Sequence, residues 1–80
     1  MYEEGHNQYL AGKYEEALKT LKESYGYNAN DASTIYFIGR TYQRLGETEQ
    51  AKKYYNKIIK NFADTKRYSE AKARLAEIGD

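Results

Sequence analysis

The 80 residues include no proline, no cysteine and no tryptophan. Without cysteine there is neither a disulfide nor a thiolate metal site. His6 is the single histidine, so an imidazole-based metal centre lacks its second ligand. An excess of one charge is missing as well: 13 basic residues stand against 12 acidic ones. Nucleic acids and anionic membranes are gripped by clustered positive charge, so this balance points to neither partner. No apolar run reaches the length of a bilayer span, and the opening "MYEEGHNQYL" is too acidic and polar for a secretory leader. No targeting segment is read, and the compartment stays unassigned. No glycine-rich loop follows a strand. No catalytic, cofactor-binding or metal-binding residue is assigned, and the chain is read as a non-enzyme.

Tyrosine is the residue in excess, at ten positions. Its ring fills space between helices while its hydroxyl reaches water at the edge. That suits a thin protein whose core positions all lie near the surface, so the expected role is structural.

The chain repeats itself. "EGHNQYLAGKYEEALKTL" and "IGRTYQRLGETEQAKKYY" align without a gap at a spacing of 34 residues. Gly5 then matches Gly39, Gly12 matches Gly46, Ala17 matches Ala51 and Leu21 matches Tyr55. A third pass begins at "KRYSEAKARLAEI" and ends after one helix, with Ala73 in the place of Gly5 and Gly39. Apolar residues fall at helical spacing four times: Tyr14, Ala17, Leu18, Leu21, Tyr25; Ile35, Ile38, Tyr42, Leu45; Ala51, Tyr54, Tyr55, Ile58, Phe62; and Tyr68, Ala71, Leu75, Ile78. A less apolar helix from about Tyr2 to Ala11 precedes them. Gly12 and Gly46 are placed just past helix ends, where a left-handed residue closes the last turn. Gly5, Ala17, Gly39 and Ala51 lie inside helices, where glycine costs up to about 1 kcal/mol against alanine. Their recurrence implies a packing need: small residues let the two helices of a unit approach closely.

A 34-residue period with the pattern G-x-x-Y-x-x-x-G-x-x-x-x-A, complete at Gly39, Tyr42, Gly46 and Ala51, resembles the tetratricopeptide repeat. The first copy keeps Gly5, Gly12 and Ala17 but has Gln8 in place of the tyrosine. The resemblance implies an all-α, right-handed solenoid of helical hairpins with about five helices. Residues 1–30 form a first repeat with a clipped leading helix, 31–64 a second repeat, and 65–80 a closing helix whose outward face carries Lys72, Arg74 and Glu77. Met1 directly before the clipped helix suggests a piece of a longer repeat protein.

The family usually places a proline in the turn between repeats, and the corresponding positions here are Ala29 and Ala63. We read this as engineering or drift. A proline inside a helix costs about 3 kcal/mol, so alanine removes a veto on helix running through the turn. In the first turn Gly26, Asn28, Asn30 and Asp31 replace it, at roughly 3 kcal/mol if forced into helix, and Asn30 or Asp31 can cap the next helix. The second turn offers only Asn61, Asp64 and Thr65, at about 2 kcal/mol. A continuous helix from Glu47 to about Ile78 is conceivable there, roughly 48 Å long at 1.5 Å per residue.

The resemblance further implies that the first helix of each repeat lines a concave face that binds a peptide or protein. By alignment, Tyr2, His6, Tyr9 and Leu10 come from the first repeat. Ser33, Tyr36, Arg40, Gln43 and Arg44 come from the second, and Arg67, Glu70 and Arg74 from the closing helix. An aromatic beside two guanidiniums, as in Tyr36, Arg40 and Arg44, suits an acidic or C-terminal carboxylate ligand. One subset of the family grips chaperone tails with Lys, Asn and Arg. The matching positions here are Tyr2, His6, Phe37, Arg67 and Ala71, and only the arginine is compatible, so that activity does not transfer. The expected function is a non-catalytic protein- or peptide-interaction module of this repeat type that also self-associates. The alternative is a self-assembling or engineered unit, forming a domain-swapped or helix-extended dimer through the alanine turns. A homodimer or higher oligomer is therefore an expected partner; nucleic acid and membrane insertion are not.

Overall fold

The computed structural model describes residues 1–79; Asp80, the last residue of the expected closing segment, lies outside them. Five helices follow one another: α1 (Tyr2–Leu10), α2 (Tyr14–Tyr27), α3 (Ala32–Arg44), α4 (Thr48–Asn61) and α5 (Lys66–Ile78). The described residues contain no strand. Each helix packs on its neighbour in sequence, and α1, α3 and α5 also touch one another in order. The result is two helical hairpins and a closing helix within 26 × 25 × 17 Å.

The two hairpin turns are built alike. The N–H of Lys13 donates to the Gln8 carbonyl (2.9 Å) and that of Gly12 to Tyr9 (3.0 Å), with Gly12 at φ 82°. One repeat later, Glu47 donates to Tyr42 (2.9 Å), Gly46 donates to Gln43 (3.1 Å), and Gly46 has φ 80°. This pair of bonds satisfies orphan carbonyls of a helix end and needs a left-handed residue, a conformation that glycine adopts without strain.

The small residues inside the helices sit where the two helices of a hairpin come close. Ala17 and Ala51 are fully buried. A Cβ on Gly5 would stand 2.6 Å from Leu21 Cγ, and a Cβ on Gly39 2.6 Å from Tyr55 Cε1. Leu21 and Tyr55 occupy equivalent positions, so each hairpin uses a glycine to admit a large side chain of its second helix. Around them Ile35, Ile38, Ile58 and Ala71 close the core. Among the tyrosines only Tyr27 stands mostly in water, at 83 % exposure, while Tyr9, Tyr36, Tyr42, Tyr54 and Tyr55 are buried. The Tyr42 hydroxyl accepts from Lys22 Nζ (3.1 Å).

Both inter-repeat turns form, with two corrections to the sequence reading. Gly26 does not stop α2; it lies in the last helical turn, with open space where a Cβ would stand. The helix carries through because the next bond, Asn28 N–H to Ser24 C=O at 2.9 Å, closes it. Tyr25, beside Gly26, also packs edge-on against Tyr54. Asn28 then goes extended (φ −145°, ψ 92°) and its side chain accepts from Asn30 N–H at 3.1 Å. Asp31 caps α3, accepting from Ser33 N–H (3.0 Å) and from the Thr34 hydroxyl (3.0 Å). The second correction concerns the continuous helix from Glu47 to Ile78, which is absent from this fold. α4 ends at Asn61, and the Phe62 carbonyl accepts from both the N–H (3.1 Å) and the hydroxyl (2.7 Å) of Thr65. A short polar side chain that bonds nearby backbone offers the chain a turn instead of helix. Ala29 and Ala63 lie exposed within these turns.

Candidate functional site

The helices α1, α3 and α5 lie side by side in the same sense. Arg67 donates to the Ser33 hydroxyl (3.2 Å) and Gln43 to Glu77 (3.2 Å), both between residues 34 apart and at opposite ends of the helices. Equivalent positions of α3 and α5 therefore face each other, α1 adds its rings beside Phe37 of α3, and together the three make one surface with two ends.

The aromatic end is organised by Phe37. His6 meets it edge-on with centroids 4.5 Å apart, Tyr9 at 5.4 Å, Tyr36 at 5.0 Å and Tyr2 at 6.2 Å. Tyr2 also stacks on His6 at 5.7 Å. The Arg67 guanidinium lies 5.0 Å from the Tyr36 ring and 5.2 Å from Phe37, an arrangement that favours the cation over the negative ring faces. Burial pushes the Tyr2 phenol above its ordinary value, partly offset by Arg67.

The arginine end is a hydrogen-bonded chain across three helices. The Tyr55 hydroxyl on α4 donates to Gln43 Oε1 (2.7 Å), which also accepts from Arg40 (3.3 Å). The Gln43 amide donates to Glu77 Oε1, and Glu77 Oε2 accepts from Arg74. Arg74 in turn donates Nε–H to the Tyr36 hydroxyl (3.0 Å). Gln43, Arg74 and Arg40 together hold the Glu77 carboxyl below its ordinary value. The Tyr36 hydroxyl raises the already high value of Arg74. Arg40, Gln43, Arg44, Arg74 and Glu77 line a depression of about 360 Å³.

The expected residues are thus divided. Tyr2, His6 and Tyr9 gather at Phe37, while Arg40, Gln43 and Arg74 gather at Glu77. Arg44 stands at the rim and reaches Tyr9 Oη at 3.4 Å. Leu10 is 66 % exposed and joins neither group. Tyr36 is buried beneath Arg67 and Arg74, so it supports their guanidiniums and offers no open ring face. Glu77 and Arg74, both placed on the outward face of the closing helix by the sequence reading, turn inward, where the alignment also puts Arg74. The 34-residue register carried the signal, because Tyr9, Gln43 and Glu77 are equivalent positions. Phe37 is reached only through the family alignment, since its equivalents at a spacing of 34 are Glu3 and Ala71.

A model of the tetratricopeptide repeat matches residues 8–75. The chain belongs to the tetratricopeptide repeat family. No curated protein and no solved structure gave a significant match. For a tetratricopeptide repeat domain, membership implies protein partners in general. No helix among the described residues is long and apolar enough to cross a membrane.

Proposed function

We propose that this domain is a non-catalytic module that receives a peptide or protein segment along the joined inner faces of α1, α3 and α5. The observation that carries this reading is the pairing of equivalent positions between α3 and α5, with α1 joined to α3 by its rings on Phe37 and by Tyr9 on Arg44. Three separate elements present one surface on which aromatic rings and hydrogen-bonding groups are already held in place. Binding to side chains fixed beforehand loses less conformational entropy than binding to free ones.

Peptides selected from a random display library on the immobilised domain test it. Those peptides lose about tenfold or more in affinity for Arg44→Glu, since a reversed rim charge repels what the groove attracted. They are unaffected by Lys19→Glu on α2. Peptides indifferent to Arg44→Glu but lost with Lys19→Glu would place binding on the other face.

Self-association by exchange of α5 is a second reading, favoured by one observation. Residues 62–65 contain neither glycine nor proline, and α5 fully buries only one side chain, Ala71. Light scattering under dilution checks it: a dimer fraction should fall on Ala63→Pro, and a strict monomer at high concentration rules it out.

A further inference from the structure

All four arginines of the chain lie on α3 or α5, whereas none of the nine lysines lies on α1 or α3. Helix α3 thus carries arginine alone while α5 carries both cation types, and the planar fork of arginine is the one suited to paired bonds with a carboxylate. Helix α3 itself contains no acidic residue. Around the depression at its end stand the guanidiniums of Arg40, Arg44 and Arg74 with the Gln43 amide, and one acid, Glu77.

Glu77 is oddly placed for a merely solvated side chain. It sits in the last turn of α5, a helix end that favours cations over anions. Its carboxylate is nonetheless directed inward, with one oxygen on Arg74 and the other on Gln43, 4.0 Å from Arg40. The side chain remains 48 % exposed. Ion pairs this open to water are worth little and exchange readily. Arg40 and Arg74 thus share the one carboxylate of the depression, while Arg44 pairs with none among the described residues.

Resting on the groove reading above, we propose that this end of the groove is a carboxylate site for an acidic segment of a partner protein, with Glu77 as its built-in, displaceable occupant. Glu77 holds Arg74 and Gln43 in the geometry that a carboxylate needs. It also sets a threshold, because a ligand binds only the fraction of molecules from which Glu77 has swung away. A segment with several acids outcompetes it by engaging Arg44 as well, which Glu77 does not reach.

Fluorescence anisotropy with a labelled tetraglutamate peptide and its tetraglutamine counterpart tests the proposal. Glu77→Gln is expected to tighten tetraglutamate binding about three- to tenfold, the factor by which prior occupancy weakens apparent affinity. Tetraglutamine should not change, and adding Arg44→Gln should abolish the gain. Unchanged or weaker tetraglutamate binding by Glu77→Gln overturns the proposal, as does absence of tetraglutamate binding to both proteins. Preference for a phosphoserine peptide over tetraglutamate overturns the carboxylate assignment in favour of phosphate. If Glu77→Gln loosens α5, seen as lost helicity, Glu77→Asp carries the test: it withdraws the charge by one methylene, so tightening supports the proposal and none overturns it. Failure of any of these leaves the groove reading to the library-selected peptides, which judge it independently.

Discussion

The Tyr55 ring occupies the space that a side chain on Gly39 would need, with Cε1 2.6 Å from the Cβ position and Cδ1 at 2.9 Å. Tyr55 is fully buried, and its hydroxyl bonds Gln43 on the inner surface at 2.7 Å. One missing methyl thus links the tightness of a hairpin to the placement of Gln43, which lines the depression beside Arg40 and Arg74.

Gly39→Ala should therefore destabilise the domain by about 1–3 kcal/mol, the cost of overpacking, even though alanine is the better helix former. Adding Tyr55→Leu should not recover that loss, because the equivalent Leu21 stands just as close, 2.6 Å, to the Cβ position of Gly5. Gly26→Ala is the contrasting case. It lies in helix with open space around it, so it should stabilise by about 0.5–1 kcal/mol. Urea unfolding midpoints separate the three.

Asp31→Ala should cost about 1–2 kcal/mol, because the only side-chain cap among the five helices is lost. It also deprives the buried Thr34 hydroxyl of its acceptor. Asp31→Asn keeps one acceptor oxygen and should lose less. Thermal unfolding of the two variants gives the comparison.

Alkaline titration should unfold the domain through Tyr55. Burial raises its phenol well above the ordinary 10.0. The folded state then keeps a proton that the unfolded chain gives up. The stabilisation is complete below pH about 10 and declines as pH rises above it. Tyr55→Phe should reduce that decline while costing about 1 kcal/mol at neutral pH for the lost hydrogen bond. The remainder belongs to Tyr2 and Tyr54, whose phenols burial also raises. Stability measured at stepped pH, with tyrosinate absorbance alongside, reads both effects.

The acid side should show the opposite sign. Glu77 is held below its ordinary 4.5 by Gln43, Arg74 and Arg40. Its contribution is present above that value and lost as pH falls through the lower folded one. Carboxyl chemical shifts followed by NMR should show Glu77 titrating below the ordinary glutamate range, and Arg74→Gln should bring it upward.

Much of this is legible in the amino-acid order. Helical periodicity marks four of the helices, and the 34-residue self-match pairs Gly5 with Gly39 and Leu21 with Tyr55, the two sides of the one close contact in each hairpin. Turn chemistry is readable at Asp31 and less so at Gly26, where a glycine cost of about 1 kcal/mol is too small to end a helix that further bonds and a tyrosine contact continue. The second turn misleads in the same way. Propensity weighs Thr65 as a weak helix former, yet what counts is its hydroxyl on the Phe62 carbonyl.

Repetition by itself settles which residues are equivalent, because identical spacing gives identical position on a helix. It therefore specifies a stack of hairpins and says which faces are shared. Which of those faces are open, and what they hold, depends on the distances between helices that are far apart in the chain. Phe37 gathers four aromatic rings, Tyr36 disappears under two arginines, and Glu77 turns inward. All three follow from α1 and α5 packing against α3, contacts that no local pattern encodes.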